Sequence, residues 1–493
     1  MRGSGILLPI SSLPSKYGIG SFSKEAFEFV DRLNKAGQKY WQILPIGPTG
    51  FGDSPYQALS TFAGNPYFID LDQLVEEGYL LQEEVESLDV GDDERNVDYG
   101  KVYNTRNEIL EKAFARFKEH IEDEFYQFEE ENSYWLQDYA FYMAVKKAHN
   151  GASYVTWEED IRLRKSETVV HYEKVLEENI LCYKFQQYMF FKQWHKLKDY
   201  ANRKGIKIIG DIPFYVATDS ADCFSQPSLF QYDEKNTPTH VAGCPPDAFS
   251  ENGQLWGNPL YDWEYLKNTD YEWWINRIRH SLIMYDIIRL DHFRGFEEYY
   301  AIPAGSSTAK VGAWKRGPGI EFFKTIKRVL GDVSIIAEDL GFLNEAVYSL
   351  VRESGFPGMK VLQFAFDSRE DSDYLPHNYD KNCVVYTGTH DNNTVLGWYQ
   401  EISSTDQEFL KDYMNLQEDN MRELNWNIIR LALSSVADTC IIPIQDYLGL
   451  GSETRINRPG SQGANWKWRM RKNEFSDELV KKINHLVTLY GRK

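Results

Sequence analysis

The sequence predicts an α/β fold: a (β/α)8 barrel with inserted subdomains and no C-terminal β-sandwich. Three observations carry the prediction. Eight short apolar runs, rich in Ile, Val and Leu, are spread through the chain and read as buried strands. Several of them turn polar, often acidic, within two residues of their ends. A barrel of this kind carries its chemistry on the C-terminal tips of its strands. Finally, the chain has 493 residues, whereas a bare barrel needs about 250, so the surplus must lie in insertions.

The runs are GILLPI (5–10), YWQILPI (40–46), IKIIGDIPFY (206–215), DIIRLDHFRG (286–295), VSIIAEDLG (333–341), GMKVLQFAF (358–366), NCVVYTGTHDN (382–392) and TCIIPIQDYLG (439–449). Asp211, Asp291, Glu338, Asp339 and Asp391 would converge on one mouth. The second run ends at 46 and the third begins at 206, far more than one crossover helix needs. Residues 76–100 hold ten acids and one Arg, and residues 104–149 repeat apolar residues at three- and four-residue spacing. A mostly helical insertion is therefore expected over 70–175. A long helix follows at 180–204, with Gly205 where a C-terminal cap would sit.

The segment 216–262 is rich in Pro, Gly, Asp and aromatics and reads as an irregular loop insertion bordering the site. Residues 264–284 read as the next crossover helix, with Trp274, Ile275, Ile278 and Leu282 inward. After the eighth run come a polar loop, 449–469, and a last helix near 476–490. The whole chain, 1–493, is thus one catalytic barrel with two insertions.

Composition narrows the function. Lys and Arg total 54 against 74 Asp and Glu, a net charge of −20. Such a surface repels phosphate backbones, so neither nucleic acid nor an anionic membrane is an expected partner. The apolar runs are too short to span a bilayer. Pro9 and Ser11-Ser12 interrupt the first of them, so no secretory leader is expected. Five scattered cysteines without CxxC spacing read as free thiols in a reducing cytoplasm. Ten histidines show no HExxH or paired-ligand spacing, so no metal or other cofactor is expected. GPTGFGDS (47–54) lacks the GK[ST] ending of a phosphate loop. Aromatics reach 15%. Most must be core, but some could stack on the C–H face of a sugar ring.

In Arg289-Leu290-Asp291 the first and third residues share one side of a strand. Arg289 should therefore favour the ionised form of Asp291, as suits a nucleophile. Glu338 follows the apolar SIIA, where partial desolvation should raise its pKa, as suits a general acid. In THDN, either Asp391 or Asn392 could instead be the cap of the next helix. Taken together, the three supply an apparatus for glycosidic bond chemistry. Retention needs two carboxyls ~5–5.5 Å apart and inversion ~6.5–9.5 Å.

Longer motifs make the chain resemble the 4-α-glucanotransferases (amylomaltases, or disproportionating enzymes) of the α-amylase-like clan. They are GILLPISSLPS, WQILPIGPTGFGDSPYQALSTFAGNPYFIDL (41–71), GDIPFYVATDSAD (210–222), PPDAFSENGQLWGNPLY (245–261), IIRLDHFRGFEEYYAIP (287–303), IIAEDLG (335–341), GMKVLQFAF (358–366), YTGTHDNNT (386–394) and the 449–469 loop. The resemblance implies a retaining transferase acting on 1,4-α-glucans such as maltooligosaccharides, amylose or glycogen-derived chains. It implies Asp291 as nucleophile, Glu338 as acid/base and Asp391 as the group gripping ring hydroxyls. Arg289 and His390 match their supporting partners. Asp211 and Tyr56 match groups around the same sugar, and Gln254 and Trp256 match the borders of the donor and acceptor subsites. Asn465 and Trp466 fall in the family's loop after the eighth strand without an assigned role. Two rivals share these residues: an α-glucan hydrolase, and a glucan-binding barrel without catalysis.

Overall fold

The computed structural model describes residues 2–246, 251–341, 343–417, 421, 423–461 and 463–493. Part of the 245–261 motif, residues 247–250, lies outside them. All eight apolar runs form strands: β1 (Gly3–Leu7), β2 (Tyr40–Gln42), β3 (Lys207–Ile212), β6 (Ile287–Leu290), β9 (Ile335–Ala337), β10 (Gly358–Val361), β11 (Cys383–Tyr386) and β12 (Thr439–Pro443). They make one parallel sheet in the order β10-β11-β12-β1-β2-β3-β6-β9. Its two ends meet where the Ala337 amide donates to the Pro357 carbonyl at 2.9 Å and the Met359 amide to Asp339 Oδ1 at 2.7 Å. The sheet is thereby a closed eight-stranded barrel.

Side chains alternate across each strand, and the alternation sorts the strands into two cores. Ile6, Ile208, Ile288, Leu290, Ile335, Ala337 and Val385 face the surrounding helices. Leu7, Ile209, Ile336, Met359, Val361, Val384, Tyr386 and Ile441 fill the barrel interior. Continuing the inward parity along each strand leads from Ile209 to Asp211, from Arg289 to Asp291 and from Ile336 to Glu338. The same two-residue period that packs the barrel thus delivers polar side chains to its mouth. Gly210, of opposite parity, lies under the Tyr285 ring, where a Cβ would come within 2.1 Å of it.

Between β2 and β3 lie the helices Tyr99–Phe117, Asp123–Glu131, Leu136–Ala148 and Ser166–Val175, then the 27-residue helix Glu177–Arg203. The last ends at Gly205, φ 76°. The crossover at 264–284 is two helices, Trp263–Asn268 and Glu272–Met284, because Asp270 and Tyr271 turn left-handed between them. The chain closes with the helix Asp477–Leu489. Among the described residues, no strand follows β12.

The segment expected to be an irregular loop holds two strands, β4 (His240–Cys244) and β5 (Gln254–Pro259). With β7 (Glu298–Pro303) and β8 (Ala313–Arg316) they form an antiparallel sheet ordered β5-β4-β7-β8. Its Gly and Pro content conceals the strands. Gly243 is there because a Cβ would stand 2.2 Å from the Gln254 carbonyl oxygen of the paired strand. No helix among the described residues is long and apolar enough to cross a membrane.

Candidate active site

Arg289 organises the mouth. Buried at the end of β6, its Nη1 donates to both oxygens of Asp211, at 2.9 and 2.8 Å, and to Asp291 Oδ1 at 3.0 Å. Asp211 is only 2% exposed, whereas the Asp291 side chain keeps 28% exposure and opens to the cleft. The Tyr56 hydroxyl donates to Asp211 Oδ2 at 2.8 Å. Its ring stacks on His390, centroids 5.0 Å apart and planes 15° off parallel. His390 Nε2 lies 3.3 Å from Asp391 Oδ2. One chain of contacts therefore joins Asp291, Arg289, Asp211, Tyr56, His390 and Asp391.

Glu338 enters from the neighbouring strand tip. Its Oε2 accepts the His292 amide at 2.7 Å and its Oε1 the Leu340 amide at 2.9 Å. The donor at Oε2 belongs to the residue next to Asp291, so the two carboxylates share one corner. Trp256, half-buried on β5, donates Nε1 to Gln254 Oε1 at 3.0 Å and meets the His292 ring edge-on, 5.1 Å between centroids. Asp339 does not join the site; its carboxylate closes the barrel seam instead.

Burial pushes Glu338 up to about 8, with the Asp291 charge adding to it and Arg289 opposing. Burial also pushes Asp291 up, to about 6, against the pull of Arg289. From the strand neighbour Arg289 alone, a lowered value is expected for Asp291. Arg289 does pull that way, but burial at the mouth outweighs it, and Asp211, which shares the guanidinium, adds to the rise as a like charge. The order is preserved: Asp291 loses its proton before Glu338. Asp391 behaves oppositely. Burial works against its charge, but His390, Asn457 and Arg289 outweigh it and hold the carboxyl well below the usual range.

A sequence model of the 4-alpha-glucanotransferase family, glycoside hydrolase family 77, matches residues 8–474. The 4-alpha-glucanotransferase of Clostridium butyricum is 51% identical over 485 residues, covering 98% of this chain and 99% of that protein. That of Thermus thermophilus is 45% identical, covering 97% and 96%. Among solved structures, the amylomaltase from Streptococcus agalactiae in complex with acarbose superposes with a TM-score of 0.96 at 40% identity, over 100% of both chains. The chain belongs to the 4-alpha-glucanotransferase family. It is an enzyme of that group, and the barrel is the one its sequence predicts.

Three features of the mouth escaped the sequence. Asn457 Nδ2 donates to Asp391 Oδ1 at 2.6 Å, and Arg455 Nη2 donates to the Asp391 carbonyl at 2.6 Å. Trp466, whose family position carried no role, packs within 5.8 Å of Tyr56 and 6.0 Å of His390. Buried Asp446 brackets the THDN loop by accepting from Thr387 Oγ1 at 2.5 Å and the Val395 amide at 2.8 Å. These partners come from residues more than 50 positions away, or from loops with no periodic signal. The following helix is capped by Thr394, not by Asp391 or Asn392, which leaves the Asp391 carboxylate to the cleft.

Trp256→Ala is expected to weaken use of sugar acceptors several-fold, since an aromatic platform of this kind contributes about 1 kcal/mol. The hydrolytic share should rise, because water needs no platform. The transfer-to-hydrolysis ratio, measured beside the melting temperature, checks this. A parallel fall of both reactions with a lower Tm would mean that the indole only packs.

Proposed function

We propose that this enzyme transfers a segment of a 1,4-α-glucan to the 4-hydroxyl of another glucan or of glucose, by a retaining double displacement. Asp291 attacks the anomeric carbon while Glu338 protonates the departing glycosidic oxygen. The leaving glucan departs, and a glycosyl ester on Asp291 remains. Glu338, now a carboxylate, takes the proton of an incoming 4-hydroxyl as its oxygen displaces Asp291. Two inversions restore the α configuration. Asp391, held ionised, is assigned to the sugar hydroxyls. It helps most if its hydrogen bonds tighten as the ring flattens toward the oxocarbenium-like state.

The observation that carries the reading is the shared corner. Glu338 Oε2 accepts the amide of residue 292, adjacent to Asp291. That supports a closely spaced carboxyl pair, as retention requires. The pair's order of titration gives each carboxyl the protonation state its role needs. The half-buried aromatics Tyr56 and Trp256 at the mouth, with buried Trp466 packed against Tyr56, support glucose rings as ligands. A cytoplasmic site of action agrees with the buried free thiols of Cys182, Cys223, Cys383 and Cys440.

Incubation with maltotriose tests the function. A ladder of longer chains together with glucose is expected. Only shorter products would indicate the hydrolase, and no change the binding barrel.

A further inference from the structure

Residue 292 stands between the acid and the loop indole in a way the displacement steps do not use. Directly after Asp291, its backbone turns left-handed, φ 49° and ψ 49°, a region that residues bearing a Cβ seldom occupy. Along a strand, successive amides point to opposite sides. A left-handed residue followed by the 3-10 turn Phe293–Phe296 aims them the same way. Both then reach one residue: the His292 amide donates to Glu338 Oε2 at 2.7 Å and the Phe293 amide to the Glu338 carbonyl at 3.1 Å. The imidazole points elsewhere. It meets Trp256 edge-on at 5.1 Å and 89°, with Tyr215 at 6.0 Å and Phe214 at 5.9 Å.

We propose that His292 is a positioning residue with two separable parts: its left-handed backbone aims the Glu338 carboxyl, and its ring edge braces the Trp256 indole on the acceptor side. The proposal rests on the reading of Glu338 as the acid and Trp256 as the platform. A general acid works only within hydrogen-bond reach of the oxygen it protonates. Among the described residues, the donors to Glu338 at the seam between β6 and β9 are the main-chain amides of residues 292, 293 and 340. The charged and titratable groups facing it are Arg289, Asp291 and Tyr374, and all remain in the variants below.

The parts are separated by substitution. His292→Gly keeps the turn, since glycine is at ease at positive φ, and removes the ring. His292→Val removes the ring and also opposes the turn, because a β-branched residue is an outlier there. His292→Ala opposes it more mildly and serves if the Val variant does not fold. Activity on maltotriose against pH, KM for glucose as acceptor, first-turnover fluoride release from α-glucosyl fluoride and melting temperature are measured for each.

The Val or Ala variant should lose about tenfold or more on maltotriose, a fraction of the ~10²-fold that an ångström of misplacement can cost. Fluoride release in the first turnover should suffer far less, because that leaving group needs no proton. The alkaline limb should move to higher pH, since a carboxylate that loses a donor holds its proton longer. The Gly variant should keep the alkaline limb of the native enzyme and raise the acceptor KM several-fold. An alkaline limb that is the same in the Gly, Val and Ala variants would overturn the backbone role. An unchanged acceptor KM in the Gly variant would overturn the ring's. Glu338→Gln, run in parallel, tells these failures from failure of the acid assignment itself, since it would then slow both donors equally.

Discussion

Asp291→Asn is expected to abolish transfer, by on the order of 10⁴-fold or more, as when a nucleophile that works with a partner is removed. The amide keeps the shape of the side chain but cannot form the ester. It also relieves the crowding of like charges around Arg289, because Asp211 alone then faces the guanidinium. The fold should therefore survive, with a melting temperature no lower than that of the native enzyme. Glucan binding should persist as well, since the contacts of Tyr56, His390 and Asp391 with one another and with Asp211 remain. Initial transfer rates, calorimetric titration with a maltooligosaccharide and a thermal melt check the three parts. Substantial transfer by this variant would remove Asp291 from the mechanism.

Glu338→Gln is expected to lower transfer from natural glucans by at least ~10²-fold, the low end for general acid–base catalysis. α-Glucosyl fluoride should recover the first step, because fluoride leaves without a proton. Equal loss with both donors would mean that Glu338 is not the acid. The pH profile gives the same test without a substitution. Asp291 must be ionised, so kcat/KM should rise through the lower step, near 6; Glu338 must be protonated, so it should fall through the upper, near 8. In the Gln variant acting on the fluoride, the alkaline limb should vanish and the acid limb remain. A limb that persists at high pH would belong to another group.

The barrel was legible because its signal is local. Each strand is a short apolar run, and the period of two that fills the interior with Ile209, Ile336 and Val384 also fixes where Asp211 and Glu338 point. Arg289 beside Asp291 was readable for the same reason. What the sequence withheld is what depends on distant partners. The direction of the Asp291 shift turned on burial at the assembled mouth, to which Asp211, 80 residues earlier in the chain, adds a like charge. The hold on Asp391 by Asn457 and Arg455, and the aromatic wall at Trp466, come from the loop after β12, whose polar sequence has no periodicity to read. The strands β4 and β5 were hidden because Gly243, Gly253, Gly257 and the neighbouring prolines look like turn chemistry, whereas Gly243 and Gly253 answer to close backbone approach. The left-handed turn at His292 left no trace, since nothing in Asp-His-Phe marks a positive φ.

The most direct measurement is to trap the intermediate. A slow fluorinated glucosyl donor is reacted with the native enzyme, the protein is digested, and the labelled peptide is sequenced by mass spectrometry. The label is expected as an ester on Asp291, in the peptide containing IIRLDHF, and released by adding maltose as acceptor. An ester on any other residue, or turnover of the donor with inverted configuration and no label at all, would contradict the double displacement.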